Sequence, residues 1–107
     1  MDVQINTANN IEGREALSQQ LELVVRDRLS RFADRLTRVD LHVSDENGDK
    51  HATHDKRCVI EARPAGLDPV TATDQAGSID QATTGALGKV VSALETVFGK
   101  LSDRKGH

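Results

Sequence analysis

Aromatic side chains are almost absent from this chain of 107 residues, which has two phenylalanines, Phe32 and Phe98, and neither tyrosine nor tryptophan. Proteins that bind single-stranded RNA commonly stack its bases on exposed aromatic rings. With only two rings, we expect this binding mode to be excluded. We also expect a core built from leucine, valine, isoleucine and alanine.

Cysteine and long hydrophobic runs are equally scarce. Cys58 is the one cysteine, so no intramolecular disulfide can form, which is typical of proteins in a reducing compartment. No apolar run approaches the ~20 residues that span a bilayer. The N-terminal segment lacks the basic and apolar regions of a signal peptide. These features predict a cytoplasmic protein with no membrane partner.

A surplus of positive charge is also missing. The 14 lysines and arginines are outnumbered by 17 aspartates and glutamates, which gives a formal net charge of -3. The molecule as a whole is therefore not expected to be attracted to nucleic acid or to an anionic membrane. Binding to either one would need a basic face that is separated from the acidic residues.

Hydrophobic periodicity predicts the order strand, helix, three strands, helix. Alternating patterns place strands at residues 2–7, 39–44, 58–62 and 70–73. Helical spacing predicts a first helix from residue 13 or 14 to about 37, and a second from Asp74 or Ser78 to about Leu101. The prediction is one α+β domain over residues 1–107, with a β-α-β-β-β-α order, both helices on one face of a four-stranded sheet, and residues 102–107 as a frayed tail.

Basic residues follow a regular spacing on the predicted first helix. Arg28, Arg31, Arg35 and Arg38 are three, four and three residues apart, so they would form one stripe along the flank of its apolar face. Guanidinium groups in a row on a rigid element can bind successive phosphates. The second helix would extend this surface with the following residues: Lys89, Lys100, Arg104 and Lys105.

The same arginines have a simpler explanation. Asp27 precedes Arg31 by four residues, and Asp34 precedes Arg38 by four. Such pairs stabilise an exposed helix by ~0.2–0.5 kcal/mol each and need no ligand. Because the acidic residues lie mainly on the predicted strands and loops, the sequence favours a polarised molecule whose sheet side is acidic.

Residue patterns for catalysis or metal binding are weak. His51 and His54 are three residues apart in a predicted loop, but no further ligand completes a metal site there. Cys58 lies on a predicted strand and is expected to be a buried, inert thiol. We expect His42 to face solvent or the side of the sheet without helices, and the glycines of the 85–88 segment to serve packing. No enzyme activity, cofactor, metal or small-molecule substrate is expected.

Taken in order along nearly the whole chain, several segments resemble the short ribosome hibernation promoting factors, also called ribosome-associated inhibitors or sigma-54 modulation proteins. The first strand is followed by Asn9–Glu12 and Glu15–Leu17, which are similar to the N-terminal signature of that family. Arg28–Phe32 resembles its basic segment on the first helix, and Asp74 with Ser78–Asp80 resembles its turn into the second helix. The chain looks like a divergent, acidic member.

The resemblance implies the family's fold and a ribosomal partner. Family members bind the small ribosomal subunit in the channel between head and body, contact its 16S-type rRNA, and silence translation in stationary phase or stress. For this chain it implies rRNA contacts by Arg28 and Arg31, whereas Arg35 and Arg38 rest on the stripe alone. We expect a monomer, because nothing in the sequence demands more.

A second function stays open at this point. A small acidic module that binds another protein could use the same fold, with the sheet face or the His51–His54 loop as its contact surface. The negative net charge favours this alternative. A contiguous basic face would favour the ribosomal function, and arginines neutralised by salt bridges would favour the alternative.

Overall fold

A computed structural model describes residues 1–8, 11, 13–45 and 56–105, with side chains up to residue 100. The His51–His54 loop and the Asn9-Asn10 turn lie outside the described residues. The elements follow the predicted order, with a 3₁₀ helix inserted after the first α-helix: β1 (Asp2–Thr7), α1 (Arg14–Arg28), the 3₁₀ helix (Ser30–Arg35), β2 (Leu36–Asp45), β3 (Lys56–Pro64), β4 (Val70–Ala76) and α2 (Ile79–Lys105).

The four strands form one sheet in the order β1-β2-β3-β4. β1 and β2 are parallel, with Val3 opposite Val39, and α1 provides the crossover that a parallel pair needs. β2, β3 and β4 are antiparallel neighbours, with Leu41 opposite Ile60 at the centre. This mixed sheet with two α-helices confirms the predicted α+β class and element order.

The first helix is shorter than predicted. It ends at Arg28, and Leu29 leaves the α-helical conformation with φ -105° and ψ 14°. The chain then forms a 3₁₀ helix, in which residues three apart lie above one another, so Leu29 and Phe32 still face the core. The prediction of one helix to Thr37 is therefore wrong beyond Arg28.

A bulge at the start of β2 explains why the helical spacing seemed to continue. Leu36 lies opposite Pro64 and Arg38 opposite Arg63, so β2 has one extra residue, Thr37, at this point. The extra residue lets Leu36 and Val39 both face the core although they are three residues apart. Residues three apart in a regular strand would face opposite sides.

The second helix begins where the predicted capping box placed it. The Gln81 amide donates a 3.1 Å hydrogen bond to Ser78 Oγ, which satisfies one of the open amides of the first turn. Asp74, the other predicted cap, lies in β4 instead. α2 continues to Lys105, so most of the segment predicted as a frayed tail is helical.

Gly85 on α2 confirms part of the predicted packing role of the 85–88 segment. A Cβ at Gly85 would overlap the carboxylate of Asp74, which extends from β4 against the helix. Gly88 has no neighbouring atom in the equivalent position. One glycine therefore allows the strand and helix to approach, and the other has no packing partner.

The core lies between the sheet and the two α-helices. Cys58 and His42 are placed as predicted, with Cys58 fully buried and His42 exposed. The fully buried residues from the strands and helices are mostly aliphatic: Leu21, Val25, Leu29, Val39, Leu41, Ile60, Ala62, Ala82, Ala86, Leu87, Val90 and Leu94. Burial of such side chains is worth about 1.5–3 kcal/mol for each leucine, isoleucine or valine.

Candidate nucleic-acid interface

The four arginines of the predicted stripe lie on three different elements. Arg28 is the last residue of α1, Arg31 and Arg35 belong to the 3₁₀ helix, and Arg38 belongs to β2. A single helical stripe therefore does not exist. We define the arginine patch as Arg28, Arg31 and Arg35, which follow one another where α1 passes into the 3₁₀ helix.

Arg38 lies on the other side of the molecule. Its neighbour Val39 is buried beneath the helices, so Arg38 and Asp40 point to the opposite face of the sheet. Arg38 Nε and Nη2 donate hydrogen bonds of 3.0 Å to the Asp40 carboxylate. These bonds, together with the charge of Asp40, raise the pKa of Arg38. Arg38 is thus part of a sheet-face ion pair and is separated from the arginine patch.

The lysines of α2 do not extend the patch directly. Lys89 lies beside the edge of the sheet, where its Nζ donates a 2.8 Å hydrogen bond to the Thr73 carbonyl and lies 3.5 Å from Asp74 Oδ1. Lys100 follows Phe98 by two residues, which places it about 200° around the helix from that ring. Arg104 and Lys105 are in the last turn of α2, but their side chains are outside the description.

Arg31 is fixed against α2. Its Nη2 donates a 2.7 Å hydrogen bond to Glu95 Oε2, and its guanidinium carbon lies 4.7 Å from the centre of the Phe32 ring. The predicted partner of Arg31 was Asp27, but the observed ion pair joins the 3₁₀ helix to α2 instead. Arg38 likewise pairs with Asp40 rather than with the predicted Asp34.

Arg35 contacts a ring rather than a carboxylate. Its guanidinium carbon lies 3.7 Å from the centre of the Phe98 ring, and the Phe98 and Phe32 rings are 5.7 Å apart and tilted by 35°. A cation above a ring face is attracted to the negative charge of that face, by about 0.5–1 kcal/mol at an exposed site. The two phenylalanines of the chain therefore support the two arginines of the 3₁₀ helix.

Most of the basic side chains that the structure describes are already paired. Arg26 pairs with Glu22, Arg63 with Glu61, and Lys56 with Asp45. Within the described residues, three exposed basic side chains have neither an ion pair nor a hydrogen bond, namely Arg28, Arg35 and Lys100. Two of these three belong to the arginine patch, which makes the patch the main uncompensated positive charge of this part of the chain.

A cavity lies between the two α-helices. Residues Leu21 and Val24 of α1 and Thr83 and Thr84 of α2 line it, and its volume is about 270 Å³. Arg28 follows Val24 by four residues, so it projects from the same side of α1, one turn closer to the end of the helix.

The described residues show neither an activated thiol nor a metal site. Burial raises the pKa of the Cys58 thiol to about 11, so the nucleophilic thiolate is scarce at neutral pH. Residues 1–8, 11, 13–45 and 56–105 contain no group of three or more histidine, cysteine or carboxylate side chains that could hold a metal ion. None of the described helices is both long and apolar enough to cross a membrane.

The sequence profile of one protein family matches residues 4–102 of the chain, and the family is described as sigma 54 modulation protein / S30EA ribosomal protein. The chain belongs to this family. The S30EA family comprises ribosome-associated hibernation and modulation factors and is not known as a family of enzymes. The resemblance to hibernation factors is therefore confirmed.

Two solved structures have a fold similar to that of this chain. The N-terminal domain of Protein Y from Thermus thermophilus has a TM-score of 0.71 and 16% identity, over 91% of this chain and 99% of that one. A ribosomal subunit interface protein from Coxiella burnetii has a TM-score of 0.66 and 10% identity, over 92% of this chain and 99% of that one. At these identities the likeness is one of fold. Among curated proteins, no sequence matches the chain.

Two residues of this interface were not among those expected from the sequence. Glu95 is 64 residues from Arg31 in the chain, and no local spacing connects them. Phe98 was considered only as one of the two aromatic residues. A signal for its contact existed, because both helices were predicted to cover the same face of the sheet and the two phenylalanines lie on their apolar sides.

Proposed function

We propose that this S30EA protein binds the small ribosomal subunit through rRNA phosphates and thereby inhibits translation during stress or stationary phase. Family membership supports a ribosomal partner. The observation that carries the binding site is the arginine patch, where Arg28 and Arg35 have no acidic partner within the described residues.

The chemistry of the arginine patch suits phosphate. Each guanidinium presents several N–H groups in a fixed plane, and this arrangement matches the oxygens of a phosphate better than an ammonium does. The Phe98 ring orients the Arg35 guanidinium at 3.7 Å. Less side-chain entropy is then lost when RNA binds.

In the proposal, the C-terminal part of α2 makes further phosphate contacts, apart from the arginine patch itself. Lys100, Arg104 and Lys105 follow Phe98 on the same helix and thus lie near the end of the molecule that carries the patch. Arg38 and Lys89 are not part of the proposed rRNA-binding surface. Arg38 is bound to Asp40 on the far face of the sheet, and Lys89 is bound at the β4 edge.

Co-sedimentation with ribosomes tests the proposal. Purified small subunits and whole ribosomes are mixed with the wild type, with Arg28→Glu/Arg35→Glu, and with the control Arg26→Glu/Arg63→Glu. Both double variants change the net charge equally, but the control residues lie outside the patch and already pair with Glu22 and Glu61. We expect the patch variant to lose co-sedimentation and the control to keep it, at equal helix content by circular dichroism.

The same experiment separates the ribosomal function from its rival. Wild-type protein that co-sediments at low salt and is released at high salt supports phosphate binding. Wild-type protein that fails to co-sediment even at low salt would instead direct the search to protein partners. An equal loss for both double variants would show that net charge, rather than the patch, controls binding. Inhibition of translation in a cell-free system then tests the second half of the proposal.

A further inference from the structure

The contact between Arg35 and Phe98 defines the orientation of the guanidinium. A guanidinium that met the ring edge-on would have its N–H hydrogens in between, which would keep the central carbon well beyond 4 Å, as roughly expected from van der Waals contact. The observed distance is 3.7 Å. The guanidinium therefore lies flat on the ring, with one planar face against Phe98.

The other planar face of Arg35 is directed away from the ring. Arg35 is an exposed residue, while Phe98 beneath it is only 7% exposed. No carboxylate among the described residues binds the N–H groups of Arg35. The pair thus presents a flat, cationic surface to solvent, with the ring as its support.

Flat cationic surfaces of this kind suit a nucleobase. In single-stranded RNA the unstacked bases are bound on aromatic rings or on arginine guanidinium planes. Phe32 and Phe98 are 6% and 7% exposed, so neither ring can stack on a base directly. In a duplex the base faces are already covered by their neighbours, so only an unpaired base can use the surface.

We propose that Arg35, supported by Phe98, is the stacking position for one unpaired RNA base, with Arg28 and Arg31 binding the phosphates beside it. This inference rests on the proposed rRNA binding and specifies the element of RNA that the arginine patch takes. It also assigns different roles to neighbouring arginines. Arg35 binds through its planar face, whereas Arg28 and Arg31 bind through charge and N–H groups.

The test compares two substitutions that keep the positive charge. Arg35→Lys removes the plane, and Arg63→Lys is the matched control outside the patch, where Arg63 pairs with Glu61. The probes are a single-stranded oligoribonucleotide that contains 2-aminopurine and the same strand with an abasic site at that position. We expect the wild type and Arg63→Lys to bind the base-containing strand about tenfold more tightly than the abasic strand, with a change in 2-aminopurine fluorescence. Arg35→Lys should bind both strands equally.

The possible outcomes distinguish this inference from the proposed function. If the wild type co-sediments with ribosomes but binds both strands equally, the stacking role is overturned and the ribosomal function stands. If the preference for the base survives in Arg35→Lys, another residue provides the stacking surface and the assignment is wrong. If the wild type binds neither RNA nor ribosomes, both proposals fail together.

Discussion

Arg31 and Glu95 form a 2.7 Å ion pair between the 3₁₀ helix and α2, although their side chains are 58% and 52% exposed. An exposed pair of this kind contributes about 0–1 kcal/mol to stability, because water screens both charges. Its larger effect is on charge, since it neutralises one of the three arginines of the patch. Glu95 thus competes with any phosphate for Arg31.

Removing this competitor should strengthen RNA binding. Glu95→Gln keeps the size of the side chain and frees the charge of Arg31, so we expect several-fold tighter binding to small subunits at low salt, with little change in thermal stability. Binding is measured by sedimentation at several protein concentrations. Glu22→Gln is the control, since it removes the same charge beside Arg26, outside the patch. Equal gains for both variants would contradict a local effect.

The salt dependence of binding should reflect the number of arginines and lysines that bind phosphates. The five residues proposed to bind phosphates, Arg28, Arg31, Lys100, Arg104 and Lys105, predict a slope of about -3.5 to -4.5 for the logarithm of affinity against that of salt, at ~0.7–0.9 per phosphate. Arg28→Gln should reduce the size of this slope by about one. Arg38→Gln should leave it unchanged, because Arg38 is bound to Asp40 on the far face. A smaller slope for Arg38→Gln would show that Arg38 also binds RNA.

Gly85 and Asp74 should be energetically coupled. Gly85→Ala gains up to about 1 kcal/mol of helix propensity. However, its methyl group displaces the Asp74 carboxylate and disturbs the Asp74–Lys89 pair. We expect net destabilisation of about 1–2 kcal/mol in wild-type protein, as for other overpacked sites. In an Asp74→Ala background the same change should cost at least about 1 kcal/mol less. Additive effects in urea unfolding would contradict the coupling.

The buried thiol of Cys58 should make stability fall at alkaline pH. Its pKa is about 11 in the folded protein against 9.0 for the ordinary thiol, so the folded state keeps the proton more tightly. The resulting stabilisation is fully present below about pH 9 and is lost as pH rises towards 11, by roughly 2–3 kcal/mol in total. We expect the wild type to lose more stability than Cys58→Ala between pH 8 and 10.5. Parallel losses in denaturant titrations would show that another group is responsible.

The sequence predicted the fold class well because the strands and α2 carry clear periodic signals. The predicted end of the first helix was wrong, because two other local geometries give the same apolar spacing as an α-helix. Leu29 and Phe32 are three residues apart on a 3₁₀ helix, and Leu36 and Val39 are three apart across the β-bulge. All four face the core, so the apolar spacing looks like a continuous α-helix.

The candidate site was predictable in composition but not in arrangement. Arg28, Arg31 and Arg35 could be selected from their spacing and from the family resemblance. Their individual surroundings depend on contacts with α2, more than 60 residues along the chain, such as that of Arg31 with Glu95. Sequence periodicity describes one element at a time, and it therefore could not distinguish a neutralised arginine from one that is available for a ligand.

The hydrogen bond from Lys89 to the Thr73 carbonyl has a consequence for self-association. β4 is the last strand of the sheet, and an outer strand offers its main-chain groups to any other extended chain, which makes it a starting point for aggregation. Lys89 occupies one of these acceptors at 2.8 Å and places a positive charge beside the strand. An approaching strand would have to displace this lysine and leave its charge poorly solvated. Lys89, which the sequence pattern predicted to contact RNA, therefore makes this edge a poor site for pairing with another strand.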